Sequence, residues 1–496
     1  MLLEPLFTHA ARQPQGLAVT DDRGHYTYQQ LAALSAGLGM YLAAQTHKPA
    51  VGILLPASGA FTASFYGTLL AGKSVVPINF LLGDAQIAHV IADSGIDTVI
   101  TAPPLAARVK DHPLKVIDLT QLPQTPPAAV APKIPQKGAD DLAVLMYTSG
   151  TSGMPKGVML TYGNLQSDTD ACIEQAALKT EHTFLGAVPL FHSLGMTATI
   201  LAPIQLAAKV VYMGRFSPVA MLQAIKQHHA SLVFGVPSMY AALLRLKNAS
   251  ADDLKSIYAM ISGGEPLPRP LYDAFLERFG IRLHEGFGLT ETSPVVTLNM
   301  PTDYRAGSVG RPVPGAIVKI ADEHGNALPA EQTGEVWLKG PMIMQGYHNL
   351  PEETAAVLTA DGYFKTGDLG KVDADGYLYI TGRKKEMIII SGEKASPREI
   401  EDVLLTHPMV ADAAVLGKKD PSRGEIVVAF IIPNETTQPT ADELRNFCRE
   451  KGLAQWKIPR EIFLVKDLPR SPTGKVLKRM LAEELEKSAN GPAAAG

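Results

Sequence analysis

Residues 147–157 read Tyr-Thr-Ser-Gly-Thr-Ser-Gly-Met-Pro-Lys-Gly and follow directly on an apolar run at 142–146. Thr148, Ser149, Thr151 and Ser152 bring hydroxyls, Gly150 and Gly153 let backbone N–H groups approach an anion closely, and Lys156 supplies a point charge. Together these are the parts of a phosphate cradle. The segment is not a Walker A loop, because Pro155 stands where G-x-x-x-x-G-K-[ST] needs its second glycine and Gly157 follows the lysine. Clusters of Ser, Thr and Gly after a strand are as often plain surface loops, so taken alone the segment supports both readings.

Four further clusters carry chemistry of a related kind. In Gly286-Phe287-Gly288-Leu289-Thr290-Glu291-Thr292 the aromatic face can cover a purine, Thr290 can donate to a phosphoryl oxygen, and Glu291 can hold Mg²⁺, which favours one or two carboxylates plus phosphate oxygens. A helix start is the commoner meaning of such a turn. Ser262-Gly263-Gly264-Glu265 closes an apolar run and would let backbone lie flat against a base, or is merely a turn. In Thr366-Gly367-Asp368 the carboxylate suits two vicinal hydroxyls, as on a ribose, with Arg383 in reach to complete the contact; an Asx-type turn is the plain alternative. Pro472-Thr473-Gly474-Lys475 presents a lysine just before a helical pattern, although a single Gly-Lys is usually a solvated surface pair.

The elements that must position these groups alternate short Val/Ile/Leu runs with longer helical patterns, which predicts an α/β fold of parallel sheets covered by helices. Strands are expected at 51–55, 75–78, 98–101, 210–213, 232–236 and 259–262. From about residue 305 to 384 the texture becomes β-rich, with strands at 316–321, 335–339 and 377–381 between Gly- and Asp-rich turns. The Pro- and Gln-rich stretch 123–137 reads as a connector. Gly382-Arg383-Lys384-Lys385-Glu386 is a polar break, and it divides a large domain, 1–384, from a small α+β domain, 385–496. In the latter, Ser396-Pro397-Arg398-Glu399 predicts a capping box opening a helix to about Thr406, followed by strands at 413–416 and 426–432, a helix at 440–451, a strand at 462–465 and a last helix after Gly474.

Bulk properties exclude several classes of function. A chain of 496 residues with a formal charge of −4 is too long for one core and has no basic stripe for nucleic acid. Cys172 and Cys448 lie far apart, so both are expected to be buried small hydrophobes, and a reducing, cytoplasmic location fits. The N-terminus lacks the features of a signal peptide. The uncharged stretch 49–72 is interrupted by Pro56, Ser58 and Gly59, so nothing is expected to span a membrane; a peripheral membrane contact and a homodimer stay open.

In their order and spacing, the Thr/Ser/Gly loop, Gly-Gly-Glu, Gly-Phe-Gly-Leu-Thr-Glu, Thr-Gly-Asp, Gly-Arg-Lys-Lys and Pro-Thr-Gly-Lys closely resemble the ANL superfamily of adenylate-forming enzymes, and the resemblance spans nearly the whole chain. It implies two steps: a carboxylate attacks the α-phosphate of MgATP to give acyl-AMP and pyrophosphate, then a thiol displaces AMP. By matching motifs, Thr148, Ser149, Gly150, Thr151, Ser152, Gly153 and Lys156 would handle the β- and γ-phosphates. Thr290 would touch the α-phosphate, Glu291 the Mg²⁺, Gly264, Glu265 and Phe287 the adenine, and Asp368 and Arg383 the ribose. Lys475 would bridge the carboxylate and the α-phosphate. Lys385 matches the hinge about which the small domain turns, a motion that would bring in Ser391 and Gly392 beside the pantetheine arm.

Two residues depart from the commoner pattern. Phe287 stands where tyrosine is usual, which keeps the aromatic face and forfeits a hydroxyl, and the hinge is a lysine where many CoA ligases have aspartate. His192, in Pro189-Leu190-Phe191-His192, matches the segment bordering the acyl pocket, where amino-acid-activating members place an aspartate. An amino acid is therefore disfavoured. The apolar residues at 196–206 and 236–240 point to an apolar acid, a medium- or long-chain fatty acid first and an aryl acid second. The stretch 346–370 lacks the insertion of ligases that load carrier proteins, which favours free CoA as acceptor. A nucleotide sensor without catalysis is the reading from another class, and the presence of both Glu291 and Lys475 speaks against it.

Overall fold

The computed structural model describes residues 1–103, 105–122, 132–148, 154–434, 438–470 and 476–490. By its internal contacts the chain divides into two compact units. The first comprises Met1–Gly264, Phe275–Val318 and Leu338–Lys365; the second comprises Glu265–Ala274, Lys319–Trp337 and Thr366–Gly496.

Two large sheets organise the first unit. A seven-stranded sheet runs Gly346–Tyr347, Lys156–Thr161, Leu142–Thr148, Ser74–Pro77, Ala50–Leu54, Thr98–Thr101, Lys115–Asp118. Its last five strands are parallel, and Ala50–Leu54 and Thr98–Thr101 are buried at every position, as expected of short Val/Ile-rich runs covered on both faces. A nine-stranded sheet has a parallel centre that includes Lys209–Tyr212, Thr183–Gly186, Leu232–Gly235, Ala259–Ser262 and Leu283–Gly288. It ends on antiparallel strands at both edges. The helices Tyr28–Gln45 and Gly59–Leu70 pack closely because Gly39 and Gly67 leave no Cβ between them: one at Gly39 would stand 2.9 Å from Leu70 Cβ.

The β-rich segment forms a four-stranded sheet in the order Ile317–Ala321, Gly334–Lys339, Phe364–Val372, Leu378–Arg383. The small α+β pattern that follows forms a five-stranded sheet from Glu393–Ala395, Ile388–Ile390, Gly424–Pro433, Val410–Asp420 and Glu461–Leu464. Ile400, Leu404, Val415, Val427, Leu444 and Cys448 share one core, while Leu416, Val428, Phe430 and Leu481 share another. Alternation along Val410–Asp420 and Gly424–Pro433 thus feeds both faces, and each fully buried aliphatic side chain contributes about 1.5–3 kcal/mol.

Three local expectations change. Ser396 does precede the helix Pro397–Leu405, but no capping box forms: its hydroxyl donates instead to Thr381 O at 2.8 Å, and Glu399 pairs with Lys457 at 2.7 Å. The strand expected at 377–381 runs on to Arg383, so the polar break shrinks to a single 3₁₀ turn, Lys384–Glu386. Cys448 is fully buried as expected, whereas Cys172 is only half-buried. Among the described residues no helix is long and apolar enough to cross a membrane.

Candidate active site

Leu142–Thr148 pairs antiparallel with Lys156–Thr161, and Thr148 lies directly opposite Lys156. The expected phosphate loop is thus the connection of a hairpin, not a strand-to-helix turn of Walker type. Its residues Ser149, Gly150, Thr151, Ser152 and Gly153 lie outside the described residues, as does Lys475. Lys156 forms an ion pair with Glu353 of the helix Pro351–Val357, and its ammonium sits 5.4 Å from the centre of the Tyr347 ring. Tyr347 belongs to the short strand that pairs with Lys156–Thr161, opposite Val158.

The Gly-Phe-Gly-Leu-Thr-Glu motif does not start an α-helix. The strand Leu283–Gly288 carries Phe287 to its end, opposite Thr297, and Thr290–Thr292 is one 3₁₀ turn. Glu291 Oε1 accepts a hydrogen bond from the Tyr347 hydroxyl at 2.7 Å. Burial and then the charge of Glu291 push the Tyr347 phenol far up, so it remains a protonated donor. Thr290 Oγ1 lies 3.5 Å from Ser193 Oγ.

Hydrogen bonds hold this turn from several sides. Met344 N donates to Glu291 O at 2.8 Å, Leu289 N to Thr292 Oγ1 at 2.9 Å, and Thr197 Oγ1 to Ser293 O at 2.8 Å. Ser293 Oγ donates to Met342 O at 2.8 Å, and Val295 N donates to Asp168 Oδ1 at 3.0 Å. Asp168 is fully buried, and burial pushes its carboxyl well above the usual range. Gly288 is required by contact, since a Cβ there would meet Pro294 O at 1.8 Å.

Ser262 ends the buried strand Ala259–Ser262, and Gly264 follows two residues on. Gly264 adopts φ +80°, which favours glycine. His192 precedes the short helix Ser193–Met196, which continues as a π-helical turn, Thr197–Leu201, of the kind often found at functional sites. The backbone can turn there because Gly195 has no side chain: a Cβ would lie 2.2 Å from Pro189 O. His192 Nε2 is sealed from solvent without a hydrogen-bond partner among the described residues, and burial lowers the imidazole to about 4. The ring is therefore neutral at pH 7.

In the second unit, Asp368 and Arg383 face each other across antiparallel strands, with Arg383 Nε 2.8 Å from Asp368 Oδ1. Thr-Gly-Asp is thus not a turn between strands: it lies inside Phe364–Val372, where Gly367 takes φ +72° and Asp368 N donates to Thr366 Oγ1 at 2.9 Å. Asp368 is 2 % exposed, while the Arg383 side chain is 41 % exposed and open to a ligand. Glu265 is half-buried. Lys385 is exposed in the 3₁₀ turn, and Ser391 and Gly392, at φ +52° and +91°, join the strands Ile388–Ile390 and Glu393–Ala395.

Sequence reading missed Tyr347, Glu353 and Asp168, each of which reaches its partner over a long stretch of chain. Among the described residues no group of three or more His, Cys, Asp or Glu could hold a metal. A single positioned carboxylate, Glu291, still fits Mg²⁺, because that ion keeps water and takes most of its other ligands from phosphate.

The comparisons with known proteins identify the class, one that activates acids through adenylates. The chain belongs to the AMP-binding enzyme family, whose main domain matches residues 6–348 and whose C-terminal domain matches residues 399–475. It is similar to a feruloyl-CoA synthase from Amycolatopsis sp, 35 % identical over 475 residues that cover 95 % of this chain and 96 % of that protein. A long-chain-fatty-acid–CoA ligase from Bacillus subtilis is 32 % identical over 525 residues, covering 96 % and 93 %. The solved o-succinylbenzoate CoA synthetase of Bacillus subtilis, in complex with its acyl-adenylate intermediate, superposes with a TM-score of 0.87 at 30 % identity, covering 96 % of this chain and 97 % of that one. The enzyme is an adenylate-forming acid–thiol ligase.

Proposed function

We propose that the acid is apolar and compact, an aryl or arylpropenoic acid, and that the thiol is CoA. Tyr240 carries this reading. It is fully buried on the helix Pro237–Leu244, its hydroxyl donates to Ile261 O at 2.6 Å and Val233 O at 3.2 Å, and its ring packs where a Cβ at Gly235 would stand 3.1 Å from Cζ. On the reading that 236–240 borders the acid, this locked ring takes up room that an extended chain would need. The feruloyl-CoA relative supports the same choice. A medium- or long-chain fatty acid, expected first from the apolar residues at 196–206 and 236–240, is the second reading, favoured by the fatty-acid ligase relative.

The residues divide the work as the chemistry requires. A carboxylate and a triphosphate repel each other, so donors and cations must stand where charge grows as the acid oxygen bonds to the α-phosphorus and pyrophosphate leaves. Thr148, Lys156 and the hydroxyls at 149–152 would grip the β- and γ-phosphates, with Thr290 at the α-phosphate. Gly264, Glu265 and Phe287 would take the adenine, and Asp368 with Arg383 the ribose. Glu291 would hold Mg²⁺, which when bound spreads the phosphate charge. Neutral His192 would border the acid without adding charge. Lys475 would bridge the acid and the α-phosphate in the first step. With Lys385 as the hinge, Ser391 and Gly392 would then flank the pantetheine arm while the CoA sulfur attacks the acyl carbon and AMP leaves.

A pyrophosphate-release screen over fatty acids of graded length, benzoates, cinnamates and amino acids, with and without CoA, tests this directly. Cinnamates or benzoates are expected to exceed long-chain acids in kcat/KM by about tenfold or more, a difference of at least ~1.4 kcal/mol. A preference for long chains would move the fatty-acid reading to first place, and an amino-acid preference would overturn both.

A further inference from the structure

Tyr347 touches two of the groups assigned to the nucleotide. Its hydroxyl donates to Glu291 Oε1 at 2.7 Å, and its ring lies under the Lys156 ammonium at 5.4 Å. Its own position is set by backbone, because Gly346–Tyr347 pairs with the strand that begins at Lys156. Three residues earlier, Met344 N holds the backbone carbonyl of Glu291 at 2.8 Å. One short segment, 344–347, therefore fixes both the main chain and the carboxylate of the glutamate.

We infer that Tyr347 is a positioning residue for the adenylation step, holding the Glu291 carboxylate in one orientation and coupling it to the Lys156 ammonium. The inference rests on the proposed roles of Glu291 toward Mg²⁺ and Lys156 toward phosphate. A carboxylate on a freely turning side chain loses rotamer freedom when it takes a cation, whereas one already held by a neutral hydroxyl does not. Partners of this kind, one bond removed from the ion, typically change metal affinity by about 10- to 100-fold. The ring adds a second function, a cation–π platform that, together with the Glu353 carboxylate, holds the Lys156 ammonium in place until phosphate binds.

Tyr347→Phe removes the hydroxyl and keeps the ring. The decisive measurement is calorimetric binding of the α,β-methylene analogue of ATP, which is not cleaved by adenylation, in a series of Mg²⁺ concentrations and in EDTA. The variant is expected to need about tenfold more Mg²⁺ for half-maximal binding, with affinity in EDTA unchanged. Glu291→Gln approaches the same bond from the other side. It should raise the Mg²⁺ requirement at least as far, and adding Tyr347→Phe to it should cost almost nothing more. Tyr347→Leu, which also removes the platform, should weaken binding in EDTA as well.

Wild-type Mg²⁺ dependence in Tyr347→Phe, an equal loss with and without Mg²⁺, or an additive double variant would overturn the inference and leave the proposed function standing. Should Tyr347→Phe fold poorly, a double variant no different from Glu291→Gln alone in its purified, folded fraction still supports the inference, and a further tenfold loss there overturns it. If the wild-type enzyme does not bind the analogue with Mg²⁺ at all, the adenylation roles fall and the inference falls with them.

Discussion

Two histidines set how acid the solution can become before the first unit loses stability. His284 is 4 % exposed on the strand Leu283–Gly288, packs edge-on against Tyr304 at 5.5 Å, and has no hydrogen-bond partner at Nδ1 among the described residues. Burial, then the charge of Arg282, lowers it to about 4, the value that burial also gives His192. Between that value and the ordinary one near 6.5, the unfolded chain binds protons that the folded chain refuses. Stability is therefore complete above pH ~6.5 and falls as pH drops toward 4, by on the order of 3 kcal/mol for a group as buried as His284. His284→Gln should flatten the dependence of melting temperature on pH between 7 and 4.5 relative to wild type. Parallel curves would show that His284 titrates normally in the folded enzyme.

At the scale of elements, the turn at 288–295 explains why some of the site was legible in sequence and some was not. The strands were readable because Val/Ile/Leu runs such as 98–101 must be buried whatever they pack against, and Asp368 with Arg383 could be paired from type and spacing. Tyr347 and Asp168 could not. Their roles depend on which strands become neighbours, and nothing local to Tyr347 announces Glu291. Ser396 shows the converse failure: its local capping signal was sound, but the nearby Thr381 carbonyl competed for the same hydroxyl and won. Gly288 tests how tightly the turn is specified. Gly288→Ala must displace backbone, since its Cβ would stand 1.8 Å from Pro294 O, whereas Gly392→Ala meets nothing within 4 Å and pays only for φ +91°. Gly288→Ala is expected to destabilise the fold by about 1–3 kcal/mol or more and to lower adenylation at least tenfold by shifting Thr290 and Glu291. Gly392→Ala should cost about 1 kcal/mol and leave adenylation near wild type. Equal effects on adenylation would mean that the turn tolerates displacement.

At the scale of the whole molecule, the two half-reactions are proposed to rely on different side chains, so the two steps should be separable by mutation. Forming the adenylate requires a cation where carboxylate and α-phosphate oxygens meet, the role proposed for Lys475. Forming the thioester begins from acyl-AMP, in which the carboxylate charge is already gone and the phosphate keeps a single negative charge, so no second anion has to be brought against it and the same cation is needed less. Lys475→Ala should therefore lower acyl-AMP formation by roughly 10²- to 10³-fold, the scale of losing one preorganised donor. It should leave conversion of supplied acyl-AMP and CoA to acyl-CoA within about twofold of wild type, since an interaction made in only one transition state is lost from only one rate. Rapid-quench measurement of each half-reaction, with acyl-AMP added directly for the second, reads the two rates independently. An equal loss in both would mean that Lys475 serves a common step, such as AMP binding, and would remove the basis for assigning it to the first half-reaction.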